Sequence, residues 1–168
     1  NKTFSLGTEI PLLGGYYYET YKKRWNAGFQ TENNWPEQFS YGMEYKQRDD
    51  IGDARTNWEL NRHFQFALLA KVYYVSGDKK VLLEFENLFN DWNQKNPFLW
   101  GISWTSVMEI AIRCSNWCYA WCFLKKAGAP DKLSVQLQTG ILNMTDYIAR
   151  HYSRYSSANN HLIVEAYA

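Results

Sequence analysis

From Thr56 onward the apolar positions of the chain recur at helical intervals. TNWE (Thr56 to Glu59) fits a capping box, with Thr56 capping the backbone and Glu59 reaching back. Leu60, Phe64, Ala67, Leu68, Lys71 and Val72 follow with helical spacing until Ser76-Gly77 stops the run. Asp78 can cap a second helix carrying Val81, Leu82, Phe85, Leu88, Phe89 and Trp92, which ends before Asn96-Pro97. SVME (Ser106 to Glu109) offers another capping box, with Ser103 as an alternative start, and that helix runs to Gly128 and Pro130. Asp131 is placed to cap a fourth helix through Leu133, Leu137, Ile141, Met144 and Ile148. A fifth is expected to start at residues 157–159.

The first helix of each pair therefore starts near residues 56, 106 and 157, about fifty residues apart. Each unit reads as two antiparallel helices with short links. The pattern predicts an all-α fold of stacked helical hairpins, as a solenoid or a closed ring. Residues 1–55 keep no sustained period; Gly14-Gly15, Trp35-Pro36 and the charged run from Lys46 to Asp50 mark loops. They are expected to form an irregular N-terminal arm, with residues 56–168 as the helical domain.

Helices of equal rank point the same way in such an array, so their leading turns should gather at one mouth. The first unit brings Asn57, Trp58, Glu59, Asn61, Arg62 and His63. The second brings Trp104, Thr105, Ser106, Glu109 and, a turn further in, Arg113. The third brings Asn159, Asn160 and His161. Helix N-termini favour carboxylates and sulfates, Arg62 and Arg113 add forked donors, and Trp58 and Trp104 could serve as platforms for sugar rings. Each residue also has a purely structural reading. Glu59 and Glu109 can be caps or partners of the two arginines, the tryptophans core residues, His63 a satisfied helix histidine, and Asn159 a cap.

Composition changes this picture little. The chain has 168 residues, one domain's worth, with 46% hydrophobic and 21% charged positions. Its 8 Trp, 13 Tyr and 9 Phe suit either a helical core or a saccharide cleft. A net charge of +1 gives no broad footprint for nucleic acid or anionic lipid. No apolar run approaches the ~20 residues of a membrane span. Cys114, Cys118 and Cys122 stack along one helix face, where a disulfide is poorly oriented, and read as buried thiols acting as small apolar side chains. No metal or cofactor is demanded. A first residue of Asn1, with no initiator Met and no leader, suggests a processed or excised chain.

Three stretches, GDARTNWELNRH (52–63), GISWTSVMEIAIRCSNW (101–117) and SSANNHLIVEA (156–166), resemble the N-terminal toroid domain of heparinase II/III-type polysaccharide lyases. The resemblance covers roughly residues 40–168. It implies an α/α toroid, here incomplete, normally followed by a β-sandwich domain. It also implies β-elimination on an acidic, uronic-acid-containing polysaccharide such as heparin, heparan sulfate or alginate. Carried onto NNHL, Asn160 would neutralise the uronate carboxylate, and His161 would assist neutralisation or proton abstraction, depending on the geometry of the sugar. Arg62 and Arg113 would organise the site or hold acidic groups, and Asn159, Trp58 and Trp104 would shape the cleft, with Asn61, His63 and Glu109 beside them. The family's catalytic tyrosine lies well beyond the Asn-His pair, so this chain alone is expected to be inactive and to be part of a longer lyase. A truncated array is expected to self-associate through its uncovered final unit. Family members acting on scavenged polysaccharide are typically exported by bacteria, which implies the periplasm or secretion. A non-catalytic glycan-binding module and a toroidal glycoside hydrolase working through two carboxylates are the competing classes.

Overall fold

The computed structural model describes residues 11–12, 16–17, 22–29, 31–46, 48–153 and 160–168. The described residues form an all-α architecture of six helices and one 3-10 turn, with a two-residue antiparallel ladder near the start, Pro11 opposite Tyr17 and Leu12 opposite Tyr16. The chain divides into two compact units, residues 1–61 with 90–105 and residues 62–89 with 106–168.

In the first unit, α1 (Ala54–Leu60) starts one turn earlier than the capping box predicts. Asp53, in extended conformation, accepts from the Arg55 N–H at 2.9 Å and is the true N-cap, while Thr56 is buried within the helix. The 3-10 turn Ile102–Trp104 packs against α1. Trp35, Met43, Ile51, Ala54 and Ile102 make the core, with Tyr45 and Trp58 packed on it. Irregular backbone cannot satisfy itself by a helical ladder, so side-chain amides do it here. Asn57 Nδ2 donates to the Trp25 and Ala27 carbonyls at 2.9 and 3.0 Å, and Asn61 Nδ2 donates to Trp25 O at 2.9 Å. The Trp92 indole N–H in turn donates to Asn61 Oδ1 at 2.8 Å. Gly28 is required where the arm crosses Ile51, because a Cβ would collide with the Ile51 carbonyl oxygen.

The second unit is built around α4 (Val107–Lys126), against which α2 (Phe64–Ser76), α5 (Asp131–Arg150) and α6 (Asn160–Tyr167) pack. α3 (Lys79–Lys95) contributes Phe85 and Phe89, whose rings lie 5.2 Å from Phe66 and 4.9 Å from Trp117 respectively. Burial of each such ring stabilises the unit by about 1.5–3 kcal/mol. α5 is amphipathic as its period predicts: Leu133, Leu137, Met144 and Ile148 are buried while Val135 and Leu142 face outward. Gly140 lets α5 approach, since a Cβ there would collide with the Trp117 ring.

Several boundaries follow the sequence and several correct it. Gly77 ends α2 in the left-handed region (φ 65°), its N–H returning to Tyr73 O. Asp78 accepts from the Lys80 N–H at 2.9 Å, and α3 stops at Lys95 before Asn96-Pro97, both as the pattern predicts. The single helix expected from residue 56 to 76 is instead two, interrupted at residues 61–63 with His63 at φ 63°. Ser106 sits at the N-cap of α4, yet its side chain makes no capping bond and Glu109 is drawn elsewhere. Pro130, not Asp131, holds the N-cap position of α5. The cysteines are free thiols, with Cys114 buried, Cys118 half-buried and Cys122 exposed. Only the first is a core residue in full, because the face they share turns from the α5 contact toward solvent.

Candidate functional site

In the second unit, Arg62 and the first turn of α4 are locked together. Arg62 Nε and Nη2 donate to the two Glu109 oxygens at 2.6 and 2.9 Å, a forked pair with side chains 22% and 3% exposed. Asn116, two turns along α4, donates its amide to Arg62 O at 2.9 Å. Glu109 is therefore the partner of Arg62, one of the two roles its position allows, and the carboxylate is occupied rather than poised to give a proton.

His63 and Arg113 lie deeper. Trp117 Nε1–H donates to His63 Nδ1 at 2.8 Å, which puts the histidine's proton on Nε2. The two rings lie 9° from parallel. Burial, and then the nearby Arg113 charge, hold the His63 pKa well below 6.5, so this imidazole is neutral. Burial pushes the Arg113 guanidinium down to about 9, opposed by the Glu109 carboxylate. Arg62, Glu109, Arg113 and the neutral His63 imidazole thus lie together beside the head of α4.

Asn160 and His161 open α6; Asn160 is exposed and His161 half-exposed. The helix is held by Glu165, buried at 1% exposure, which accepts from both the backbone N–H and the hydroxyl of Ser153 at 2.7 Å. Asn159, the third member of the triplet, lies outside the described residues.

The predicted residues of the first unit divide. Asn61 is enclosed, its amide consumed by Trp25, Asn57 and Trp92. Trp104 is also enclosed, packed on Trp92 and Phe98 with ring centroids at 5.7 and 5.0 Å. Both belong to the packed interior rather than to a cleft wall. Trp58 is half-buried, its indole N–H shared between Ile102 O and Thr105 Oγ1 at 3.0 and 3.1 Å, with Tyr45 edge-on at 5.3 Å. It lines an open cavity of about 470 Å³ with Tyr45, Lys46, Arg48, Asp49 and Arg55. Arg48 forks onto Asp50 and Arg55 onto Asp53, holding both carboxyls below the usual range. The sequence signalled this wall only as a charged run. Tyr45, Lys46, Arg48 and Arg55 were not singled out because their meeting with Trp58 depends on the arm's path.

Among the described residues, no helix is long and apolar enough to cross a membrane, and no group of three or more His, Cys, Asp and Glu side chains is placed to hold a metal ion.

Residues 20–168 match the family profile described as the heparinase II/III N-terminus. The chain belongs to that family. Among curated proteins it is similar to a heparin-sulfate lyase of Bacteroides stercoris, 26% identical over 147 residues, covering 76% of this chain and 22% of that protein. It is also similar to a heparin-sulfate lyase of Pedobacter heparinus, 24% identical over 139 residues, covering 76% of this chain and 20% of the relative. The chain thus spans about a fifth of the length of these relatives. No solved structure matches it.

Proposed function

We propose that this chain is part of a polysaccharide lyase that cleaves a uronic-acid-containing polysaccharide, heparan sulfate-like or alginate-like, by β-elimination. The observation that carries this reading is family membership across residues 20–168, with an Asn-His pair set at the exposed head of α6. Elimination requires removal of the C5 proton beside a carboxylate, and that proton is very weakly acidic while the carboxylate keeps its full charge. A donor that neutralises the carboxylate stabilises the enolate-like charge of the transition state by about 3–4 kcal/mol. The Asn160 amide takes that role, since it donates without competing as a base, and His161 assists beside it. Arg62, aligned by its fork onto Glu109, organises the site or holds acidic groups. Asn61, His63, Trp104 and Arg113, being enclosed, act through packing and charge rather than by touching sugar.

In this reading the α/α toroid is completed, and the catalytic tyrosine supplied, by further chain. The 168 residues alone are then inactive, and the outward apolar side chains Val135 and Leu142 on α5 and Ile163 on α6 are covered by the next helices or by self-association. The periplasm is the compartment that suits such an enzyme. A second reading, a glycan-binding module without turnover, draws on the cavity beside Trp58. A two-carboxylate hydrolase is disfavoured by the engagement of Glu109 with Arg62. Incubating the full-length protein with heparan sulfate, alginate and other uronans separates the three. Elimination creates an unsaturated uronate that absorbs in the ultraviolet, hydrolysis yields products without that chromophore, and a binding module yields none.

A further inference from the structure

α6 is eight residues long, too short to be stable on its own, so its placement depends on what holds it. Of its side chains only Glu165 is buried. We propose that Glu165 is a positioning residue for the elimination, holding Asn160 and His161 at the angle their chemistry requires. The inference rests on the reading of Asn160 as the group that neutralises the uronate carboxylate, and adds the device that aims it.

The choice of side chain is the first reason. A short helix packed on α4 needs only an apolar residue to hold it, and enclosing a carboxyl group costs free energy unless it is hydrogen-bonded. Here both oxygens are engaged. Oε2 accepts from the Ser153 backbone N–H and Oε1 from the Ser153 hydroxyl, each at 2.7 Å. Two bonds to one residue fix direction as well as distance. Apolar burial, which has no direction, fixes neither.

Position is the second reason. Ser153 and Glu165 close a loop of chain that contains Asn160 and His161, so the clamp stands at both ends of the stretch bearing the pair. Glu165 lies about 7.5 Å along the helix axis from Asn160, and one turn beyond His161 on the same face. A tilt of about 8° around that anchor moves the Asn160 amide by about 1 Å, and a misplacement of that size costs up to about a hundredfold in rate. The other polar tether of α6 is of a different kind. It joins Tyr167 Oη to Tyr119 Oη at 3.0 Å, between exposed side chains at the far end of the helix.

The test separates aim from stability. In the full-length protein, kcat and KM for ultraviolet-absorbing product are measured well below the melting temperature for Glu165→Met, Ser153→Ala, Glu165→Gln and Tyr167→Phe. Glu165→Met fills the space without the directed bonds and is expected to lower kcat about ten- to a hundredfold, with KM changed less than about threefold. Ser153→Ala removes one of the two bonds and should lower kcat about three- to tenfold; it decides alone where Glu165→Met does not fold. Glu165→Gln, whose amide accepts from the N–H and donates to the hydroxyl, should restore kcat to within about threefold of the unmutated protein. Tyr167→Phe should leave both constants unchanged. Hydrogen exchange at residues 160–163, without substrate, should quicken in Glu165→Met and return in Glu165→Gln. A lower melting temperature with unchanged kcat in Glu165→Met and Ser153→Ala would make Glu165 a structural anchor alone and overturn the proposal, as would unchanged exchange. Absence of product from the unmutated protein on every uronan overturns the lyase reading instead, and exchange then still decides whether the clamp holds the head of α6.

Discussion

The stretch TNWELNRH places buried polar side chains in both compact units, and the two solve burial differently. In the first unit Asn57 and Asn61 are neutral amides that meet the carbonyls of Trp25 and Ala27. In the second, Arg62 carries a full charge into a fork with Glu109, beside the buried Arg113 and a neutral His63. The difference reflects what each must satisfy. Irregular backbone offers dipoles, which amides match at little desolvation cost. A turn beside a helix head offers side chains, and a carboxylate forked by a guanidinium ties the two together at a higher cost of burial. The first device is structural throughout; the second leaves one edge of Arg62 partly exposed.

Breaking the charged device should have the largest effect. Glu109→Ala removes the carboxylate that Arg62 forks onto and is expected to cost about 3 kcal/mol, the lower end of the range for a broken buried pair because Arg62 is partly exposed. Urea unfolding measures it. Replacing the pair together, Arg62→Met with Glu109→Leu, should recover part of that loss. Breaking the neutral device comes next. Asn61→Ala removes the Oδ1 acceptor of the Trp92 indole N–H and one of two donors from Trp25 O, for an expected loss of about 2–3 kcal/mol by the same measurement.

The smallest effect is a pH dependence confined to the second unit. His63 has a folded pKa far below its unfolded value of 6.5, so below pH 6.5 the unfolded chain binds a proton that the folded one refuses. The contribution is complete above that pH and is lost as pH falls, at a slope of at most ~1.4 kcal/mol per pH unit. His63→Gln should flatten the stability profile between pH 6.5 and 5. An unchanged slope would mean that His63 accepts its proton in the fold.

Much of the helical frame was legible because its signals are local. Asp78, Gly77, Asn96-Pro97 and the stripe from Leu133 to Ile148 act within a turn of where they stand. The break at residues 61–63 was not legible, since Leu60, Phe64 and Leu68 keep helical spacing straight across it. What interrupts the helix there is distant: Asn61 is held by Trp25, and His63 by Trp117. Glu109 shows the same limit from the other side. Its spacing from Ser106 reads as a capping box, yet an arginine far away in sequence takes both its oxygens. For the candidate site, NNH marked the head of α6 and the Arg62–Glu109 pairing was within reach of the sequence. The wall around Trp58 belongs largely to an arm with no period, where only the folded path of the chain brings the cations and aromatic rings together.

The central claim is that the amide at the head of α6 carries the charge-neutralising step of an elimination. Its most direct test is the rate of ultraviolet-absorbing product formation by full-length Asn160→Ala and Asn160→Asp on the preferred uronan, with melting temperature recorded alongside. The expected result is a fall in kcat of about a hundred- to a thousandfold for Asn160→Ala, a deeper fall for the anionic Asn160→Asp, and no change in melting. Activity within a few fold of the unmutated protein in both variants would contradict the claim.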